Sequence, residues 1–219
     1  MFTVTPRLLS MMRYVDDCGE VPLHVFMMRF WPDEEPEIAE NKAKRCVRKY
    51  VGQGLLLRSL PKGQDTTVRL SSKAKQLVGE RGGAGIVATG HPRARAHHAA
   101  TLAYVERVRA ELGNHQEIAE VLLEPQLRAR LQKGRGTRRG QVYESFPDAL
   151  VTLNEMMPDG TMTTREVAIE YVTSKYTSKD ILKKSASFYS TYQSVLWVAD
   201  NPRTQARVAR LVGGPCACL

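Results

Sequence analysis

The chain has 219 residues, of which 42% are hydrophobic, and this is enough to form one or two globular domains with ordinary cores. No window approaches the roughly 20 apolar residues of a membrane-spanning helix, and the first residues lack the charged-then-apolar order of a secretion signal, so we expect a soluble protein with no membrane partner. The net charge of +9, with a pI near 9.5, favours a polyanionic partner.

The four cysteines bear on the location of the protein. They are too widely spaced for a zinc ribbon, and no Cys-x-x-Cys motif begins one. A reducing cytoplasm is therefore the simplest setting for this chain.

The first 80 residues contain three predicted helices followed by two short strands. Apolar residues at helical spacing predict helices over 6–17, 22–30 and 37–53, and two short apolar segments predict strands over 55–60 and 66–70. This order is that of a winged helix, a helix-turn-helix variant whose third helix enters the major groove of DNA while the wing contacts the backbone. A solvated basic helix in an interaction domain is the alternative.

Basic side chains mark the outer face of the third predicted helix and the predicted wing. Lys44 and Arg48 fall on the side of the helix that stays open when its apolar residues face inward. Arg58, Lys62 and Arg69 lie along the two strands and their connection. We expect these five side chains to contact DNA.

Five glycines between residues 79 and 90 predict a linker between two domains. We assign residues 1–80 to the winged-helix domain, 81–90 to the glycine-rich linker and 91–219 to a second domain. Apolar spacing predicts that the second domain begins with a helix over 97–112.

A basic segment follows Pro125 in the second domain. Residues 128–139 are rich in arginine, contain no acid and are interrupted by glycines. This composition predicts a mobile arm laid along DNA phosphates, where each neutralised phosphate adds affinity through counterion release. We expect Arg135, Arg138 and Arg139 to make such contacts, and a basic loop without a specific partner is the alternative.

Two apolar runs joined by a turn predict a hairpin in the second domain. The runs cover 148–154 and 164–173, and Pro-Asp-Gly at 158–160 is a turn signal between them. Because side chains alternate along a strand, Glu166 and Glu170 share one face with Ala168 and Val172. Glu170, late in the strand, is predicted to lie among apolar neighbours, whereas Glu166, near the turn, is predicted to face solvent.

Acidic residues at the ends of these strands predict a divalent-metal site. Asp148 begins the first run and Glu170 lies near the end of the second. Mg²⁺ and Mn²⁺ prefer such oxygen ligands, completed by water and substrate phosphates. Glu124, at the end of a further predicted strand over 118–123, is a third candidate ligand. The alternative is that these acids are ordinary strand-end residues.

The same residues resemble the nuclease core that is written PD-(D/E)xK. Pro147-Asp148, a strand ending in Glu170 and a Lys-bearing helix follow that pattern, but Val172 occupies the position of the family's lysine. The resemblance implies that the two acids are catalytic and hold the metal, and that an amine activates the attacking water or stabilises the phosphate charge. The helix offers Lys183 and Lys184 for that role, and its apolar stripe favours Lys184.

Over residues 7–212 the chain resembles the plasmid replication-relaxation family and the related C-class mobilization relaxases. Gly54-Leu-Leu56 is similar to the family's entry to the wing, and Arg69-Leu-Ser71 is similar to its exit. The resemblance implies an α/β (α+β) fold, in which an N-terminal winged helix-turn-helix precedes a restriction-endonuclease-like core. It also implies a cytoplasmic protein that binds double-stranded DNA at an origin of transfer or replication, alongside other plasmid mobilization or replication proteins.

Three functions remain open at the level of sequence. The first is a metal-dependent DNA nickase or relaxase, which the acid pair favours. The second is a non-catalytic DNA-binding regulator or accessory factor with a degenerate nuclease fold, which Val172 favours. The third uses Tyr189 or Tyr192 as a nucleophile that forms a 5′-phosphotyrosine, although both tyrosines lie at positions expected for a helix core.

Overall fold

The computed structural model describes residues 4–60, 65–79, 92–134 and 145–219. The chain is a mixed α/β protein, as expected for the α/β (α+β) class. Its contacts divide it into two compact units, Met1–Glu106 and Arg107–Leu219. None of the helices in the described ranges has both the length and the apolar character that crossing a bilayer requires.

The first unit combines helices with a small antiparallel sheet. Its elements are α1 Pro6–Cys18, β1 Val21–Pro22, α2 Leu23–Phe30, α3 Pro36–Gly52, β2 Leu56–Ser59, β3 Thr67–Leu70 and α4 Ser72–Val78. The strand order is β1-β3-β2, so β3 pairs with both of the others. The three predicted helices and the hairpin are confirmed with small shifts at their ends. The strand β1 was not predicted, because Val21 appears in the sequence as part of a link and Pro22 as the start of the second helix.

Side-chain caps and a shared apolar core explain these helices. Thr5 caps α1 by accepting a hydrogen bond from the N–H of Leu8 at 3.2 Å, and Pro6 suits the first turn. Ser71 caps α4 in the same way through the N–H of Ala74 at 3.1 Å. The fully buried residues of the core include Met12, Val15, Val25, Phe26, Leu55 and Val68.

The helix α5, Pro92–Glu111, begins earlier than the sequence predicted, and its residues up to Glu106 belong to the first unit. His98 Nε2 forms a hydrogen bond with the backbone oxygen of Glu20 at 3.0 Å, and Glu106 accepts one from the Tyr14 hydroxyl at 3.1 Å. These contacts explain why the two units divide inside α5. The sequence places the division in the glycine-rich linker, which lies outside the described residues.

The second unit is organised around a five-stranded sheet. Its remaining elements are β4 Gln116–Leu123, α6 Glu124–Gly134, β5 Ala149–Met156, β6 Met162–Val172, α7 Ser178–Tyr189, β7 Ser194–Ala199, α8 Pro202–Val212 and β8 Cys216–Cys218. The strand order is β4-β5-β6-β7-β8. The pairs β4–β5 and β5–β6 are antiparallel, whereas β6–β7 and β7–β8 are parallel. The sequence did not predict β8.

The predicted hairpin is confirmed as β5 and β6. Ala149 pairs with Ile169 at one end and Met156 pairs with Met162 next to the turn. Glu166 is exposed, as its place near the turn predicts. A cluster of buried side chains joins the sheet to α7 and α8, and it contains Val172, Ile181, Phe188, Trp197 and Val208.

The basic segment after Pro125 is helical through Gly134, which corrects the prediction of a mobile arm beginning at residue 128. Pro125 occupies the first turn of α6, where its missing N–H has no helical partner to lose. Leu127 is buried, and Arg128 forms an ion pair with Glu124 one turn earlier. The remaining predicted contacts of this segment lie outside the described residues, and they are Arg135, Arg138 and Arg139.

Candidate active site

Asp148 and Glu170 are neighbours across the β5–β6 pair. Ala149 pairs with Ile169 in an antiparallel register, so Asp148, one residue before β5, lies opposite Glu170. The Asp148 Oδ2 atom accepts a hydrogen bond from the backbone N–H of Tyr171 at 2.8 Å, which holds this carboxylate at the strand entrance. The structure therefore brings together the two acids that the sequence selected.

Glu170 is completely buried, and its environment opposes ionisation. Burial, followed by the negative charge of Asp148, raises the pKa of Glu170 to about 8, whereas Lys184 and a hydrogen bond from Tyr176 act in the opposite direction. A buried carboxyl with such a pKa is poised to exchange a proton for a cation near neutral pH. This property favours a functional role over a purely structural one.

This pKa predicts an unusual dependence of stability on pH. Because the folded-state pKa lies above the usual value of 4.5, the folded protein binds a proton that the unfolded chain releases, and stability falls as the pH rises from about 4.5 to about 8. Across this window we expect unmodified protein in EDTA to lose stability steadily relative to Glu170→Gln, by no more than about 5 kcal/mol, since one pKa unit corresponds to about 1.4 kcal/mol and the shift runs from 4.5 to about 8.

Urea unfolding at a series of pH values measures this difference. Glu166→Gln is the matched control, because Glu166 is an exposed acid of the same strand and should leave the slope unchanged. Parallel stability curves for the unmodified protein and Glu170→Gln would contradict the prediction.

Lys184 is the lysine that reaches the acid pair. Its Nζ forms an ion pair with Glu170 Oε1, and its side chain is 22% exposed. The Nζ atom also lies 5.3 Å from the ring centroid of Tyr176 and 5.8 Å from that of Phe188. Lys183, by contrast, is exposed. Val172 is fully buried in the apolar cluster, so the amine at this site comes from α7 instead of β6.

Tyr176 belongs to the same site, although the sequence analysis did not select it. Its hydroxyl donates a hydrogen bond to Glu170, and burial together with the nearby acids raises the pKa of Tyr176. Tyr176 precedes the capping box of α7, in which the Thr177 and Asp180 side chains each bond the other's backbone N–H. An aromatic residue just before such a box commonly packs against the first helical turn, and Tyr176 packs against the cluster that contains Ile181. An aromatic residue directly before a capping box was therefore the sequence signal that could have identified Tyr176.

Glu124 is placed differently from the other two acids. Its backbone N–H donates to the backbone oxygen of Asp148 at 3.0 Å, but its carboxylate accepts hydrogen bonds from the guanidinium of Arg128. Within the described ranges, no three His, Cys, Asp or Glu side chains are grouped so as to hold a metal ion. The Glu124 carboxylate is paired with Arg128, while its charge also acts on Tyr176 beside the acid pair.

Two carboxylates nevertheless suit a divalent cation. Glu170 Oε2 is a buried oxygen that has no hydrogen-bond partner in the described part of the chain. An oxygen in this state is costly unless a proton or a cation satisfies it. Mg²⁺ is usually held by one or two carboxylates, with waters and substrate phosphates completing its shell. Asp148 and Glu170 therefore fit Mg²⁺ or Mn²⁺ without a third protein ligand.

The two tyrosines considered as nucleophiles lie elsewhere on α7 and just after it. Tyr189 is half exposed, and the ring of Tyr192 packs edge-on against Phe188 with centroids 6.0 Å apart. Tyr176 is the tyrosine whose hydroxyl acts on the pKa of Glu170 through a hydrogen bond.

The predicted DNA contacts of α3 are accessible. Lys44 and Arg48 are exposed, one turn apart on this helix. Lys44 forms an ion pair with Glu40 at 2.7 Å, in which both side chains are about half exposed. Such surface pairs contribute little to stability, so a phosphate can replace Glu40 as the partner at small cost.

The predicted wing contacts do not all share one face. Arg58 is exposed and pairs with Val68, so these two side chains lie on the same face of the sheet. Arg69, the next residue after Val68, lies on the opposite face and is partly buried. Lys62 lies outside the described residues.

Scans of the sequence against protein-family models and curated proteins, and of the structure against solved structures, return no match.

Proposed function

We propose that this protein is a metal-dependent DNA endonuclease that nicks one strand at an origin of transfer or replication of a mobile element, as the resemblance to the plasmid replication-relaxation family implies. The observation that carries the proposal is the meeting of Asp148, Glu170 and Lys184 at the ends of adjacent strands. Two carboxylates and one amine are the side chains that the PD-(D/E)xK pattern requires.

The order of elements in the second unit supports the proposed restriction-endonuclease-like core. The end of α5 is followed by the antiparallel strands β4, β5 and β6, then by α7 and the parallel strand β7. The acids lie at the start of β5 and the end of β6, as the pattern expects. A likeness of fold alone does not establish chemistry, so the proposal depends on the residues of the site.

Each side chain of the site has a proposed role. Asp148 and Glu170 would hold Mg²⁺ or Mn²⁺, which supplies charge neutralisation at a phosphate and acidifies bound water. Lys184, already directed at Glu170, is the amine available to donate to a phosphate oxygen. Tyr176 orients Glu170 from the other side through its hydroxyl. Burial of the Glu170 carboxylate strengthens each of these interactions, because little water competes there.

The first unit supports a role in selecting the DNA. Its order α1-β1-α2-α3-β2-β3, with the β2–β3 hairpin after the third helix, is consistent with the proposed winged helix-turn-helix. Lys44 and Arg48 on α3 and Arg58 on β2 are exposed cations suited to double-stranded DNA. Under this proposal the protein acts in the cytoplasm, where its DNA and other plasmid mobilization or replication proteins are found.

The second candidate function is a non-catalytic DNA-binding regulator. Val172 is buried in the apolar cluster, Glu170 is neutralised by Lys184, and the carboxylate of Glu124 is bound by Arg128. A protein that had lost its chemistry would tolerate such internal pairing.

A nicking assay separates these two functions. Supercoiled plasmid carrying the protein's own origin should be converted to the open-circular form with Mn²⁺ or Mg²⁺ and should stay supercoiled in EDTA. A plasmid of equal size without the origin is the control. If the protein bound the origin tightly but did not nick it with either metal, the regulator function would be supported and the nickase function would be wrong.

A further inference from the structure

A pocket of about 440 Å³, lined by polar and charged residues, lies beside the acid pair in the second unit. Tyr176 and Lys184, which contact Glu170, also form part of its wall. The loop before α7 contributes Thr173 and Lys175, and the helix itself contributes Lys183. The pocket and the candidate active site therefore share two side chains.

The lining of this pocket is positively charged. Lys175 and Lys183 form no ion pair with any carboxylate in the described part of the chain, and both are exposed. The acid of the lining is Asp180, and its carboxylate accepts hydrogen bonds from the backbone N–H of Thr177 at 3.0 Å and from the Thr177 hydroxyl at 2.6 Å. Because Asp180 is committed to capping α7, the two ammonium groups are available to an external anion.

The size and chemistry of the pocket indicate which anion it takes. Pockets of roughly 300–1,000 Å³ hold small organic ligands, so the space here exceeds the need of a single small ion. Lysine ammonium groups bind phosphate as mobile point charges, and the Thr173 hydroxyl adds a neutral donor. A nucleotide unit of a DNA strand provides both the charge and the volume.

We propose that this pocket binds an internal phosphodiester of the DNA strand, one next to the phosphate at the acid pair, with Lys175 and Lys183 as its anchoring residues. The inference rests on the proposed nuclease function, since it assigns the ligand as part of the substrate. Because Tyr176 contacts both the pocket and Glu170, occupation of the pocket fixes the strand relative to the carboxylates. Lys175 and Lys183 are thus positioning residues, whereas Lys184 acts at the acid pair.

A binding experiment without metal tests the pocket independently of cleavage. The full chain in EDTA is titrated with the single-stranded tetranucleotide dT4, and the backbone amide signals of Tyr176, Thr177 and Lys183 are followed by NMR. We expect these signals to shift to saturation. The same tetranucleotide with uncharged methylphosphonate linkages should bind at least tenfold more weakly, since it keeps the shape but lacks the charge.

Matched variants identify the side chains responsible. Lys175→Ala and Lys183→Ala should each weaken dT4 binding about fivefold, as expected for the loss of one contact to a charged group. Lys179→Ala should change it less than twofold, because Lys179 is an exposed lysine of the same helix that does not line the pocket.

Three results would overturn the assignment. They are the absence of shifts at the pocket, equal binding of the uncharged tetranucleotide, and equal losses from Lys179→Ala and the two pocket variants. If inorganic phosphate bound to saturation and dT4 did not bind, the pocket would be a site for free phosphate. That result would also overturn the assignment of a DNA strand as the ligand. If dT4 binds as expected but the origin plasmid is never nicked, the pocket assignment stands and the nickase fails.

Discussion

Asp148→Asn and Glu170→Gln should each reduce metal-dependent nicking by at least about 100-fold, the loss typical of removing one preorganised electrostatic group. Under the proposed function both carboxylates would hold the cation, and each substitution removes a charge while keeping the shape. Origin affinity should stay within about twofold, because unit 1 carries the proposed DNA-selecting contacts. Thermal stability at neutral pH should not fall, since burial, and after it the charge of Asp148, raises the pKa of Glu170, and each variant removes the repulsion between the two acids.

Initial nicking rates on supercoiled origin plasmid measure this effect, and Glu166→Gln on the same strand is the control. Lys184→Ala should slow nicking less than either acid variant, as expected for an electrostatic helper. Lys183→Ala should leave kcat within about threefold and act on KM, because its ammonium is in the pocket and not at Glu170. Retained activity in both acid variants would place the chemistry elsewhere, and Tyr189 and Tyr192 would be the next residues to change.

Reversing the charge of Lys44 and Arg48 should abolish origin-specific binding, with a loss of at least about 100-fold in affinity. Both side chains are exposed on α3, the helix proposed to enter the major groove. The double variant Lys44→Glu with Arg48→Glu introduces repulsion at a place where the phosphates and base edges lie close. Competition binding of a labelled origin duplex against unrelated duplex measures the loss of specificity.

The matched control reverses Arg13 and Lys75, two exposed cations on α1 and α4 that change the net charge of the unit by the same amount. It should weaken binding to both duplexes less than threefold. Reversing Arg138 and Arg139 should instead weaken binding to all sequences and flatten its salt dependence, as expected for phosphate contacts. If the α3 variant and the Arg138 and Arg139 variant lost origin-specific binding equally, α3 would not be the element that selects the sequence and the basic segment would not be a general phosphate contact.

Some features of this protein follow from residues that are close together in the chain. Alternation along β6 puts Glu166 and Glu170 on one face, and their distances from the turn correctly predict that Glu170 is buried and Glu166 exposed. The turn ends at Gly160, whose φ of 82° lies in the region that glycine adopts readily. These patterns are sufficient to predict the hairpin, because side chains along a strand repeat every two residues and a turn is closed by hydrogen bonds between residues that are close in the chain.

Other features depend on partners that are distant in sequence. Val21 in β1 pairs with Val68, and Cys216 in β8 pairs with Trp197. Segments of two or three residues have too few side chains to show a period, so their extended conformation follows from hydrogen bonds with a strand that is already in place. The helical form of α6 was missed for a related reason, because its arginines belong to a glycine-containing basic segment that resembles a loop until the burial of Leu127 is known.

The residues of the candidate site also fall into those that the sequence predicted and those that only the folded sheet brings together. Strand-end positions were sufficient to select Asp148 and Glu170, and the resemblance to the PD-(D/E)xK pattern added the pair of adjacent lysines on the following helix. The apolar stripe of the helix favoured Lys184 over Lys183, because adjacent helical residues point about 100° apart. The packing of α7 against the sheet is what brings Lys184 to Glu170 and leaves Lys183 in the pocket wall alone. The same packing brings Tyr176 to Glu170, because a contact between a loop and the interior of a strand depends on the folded sheet and not on spacing along the chain.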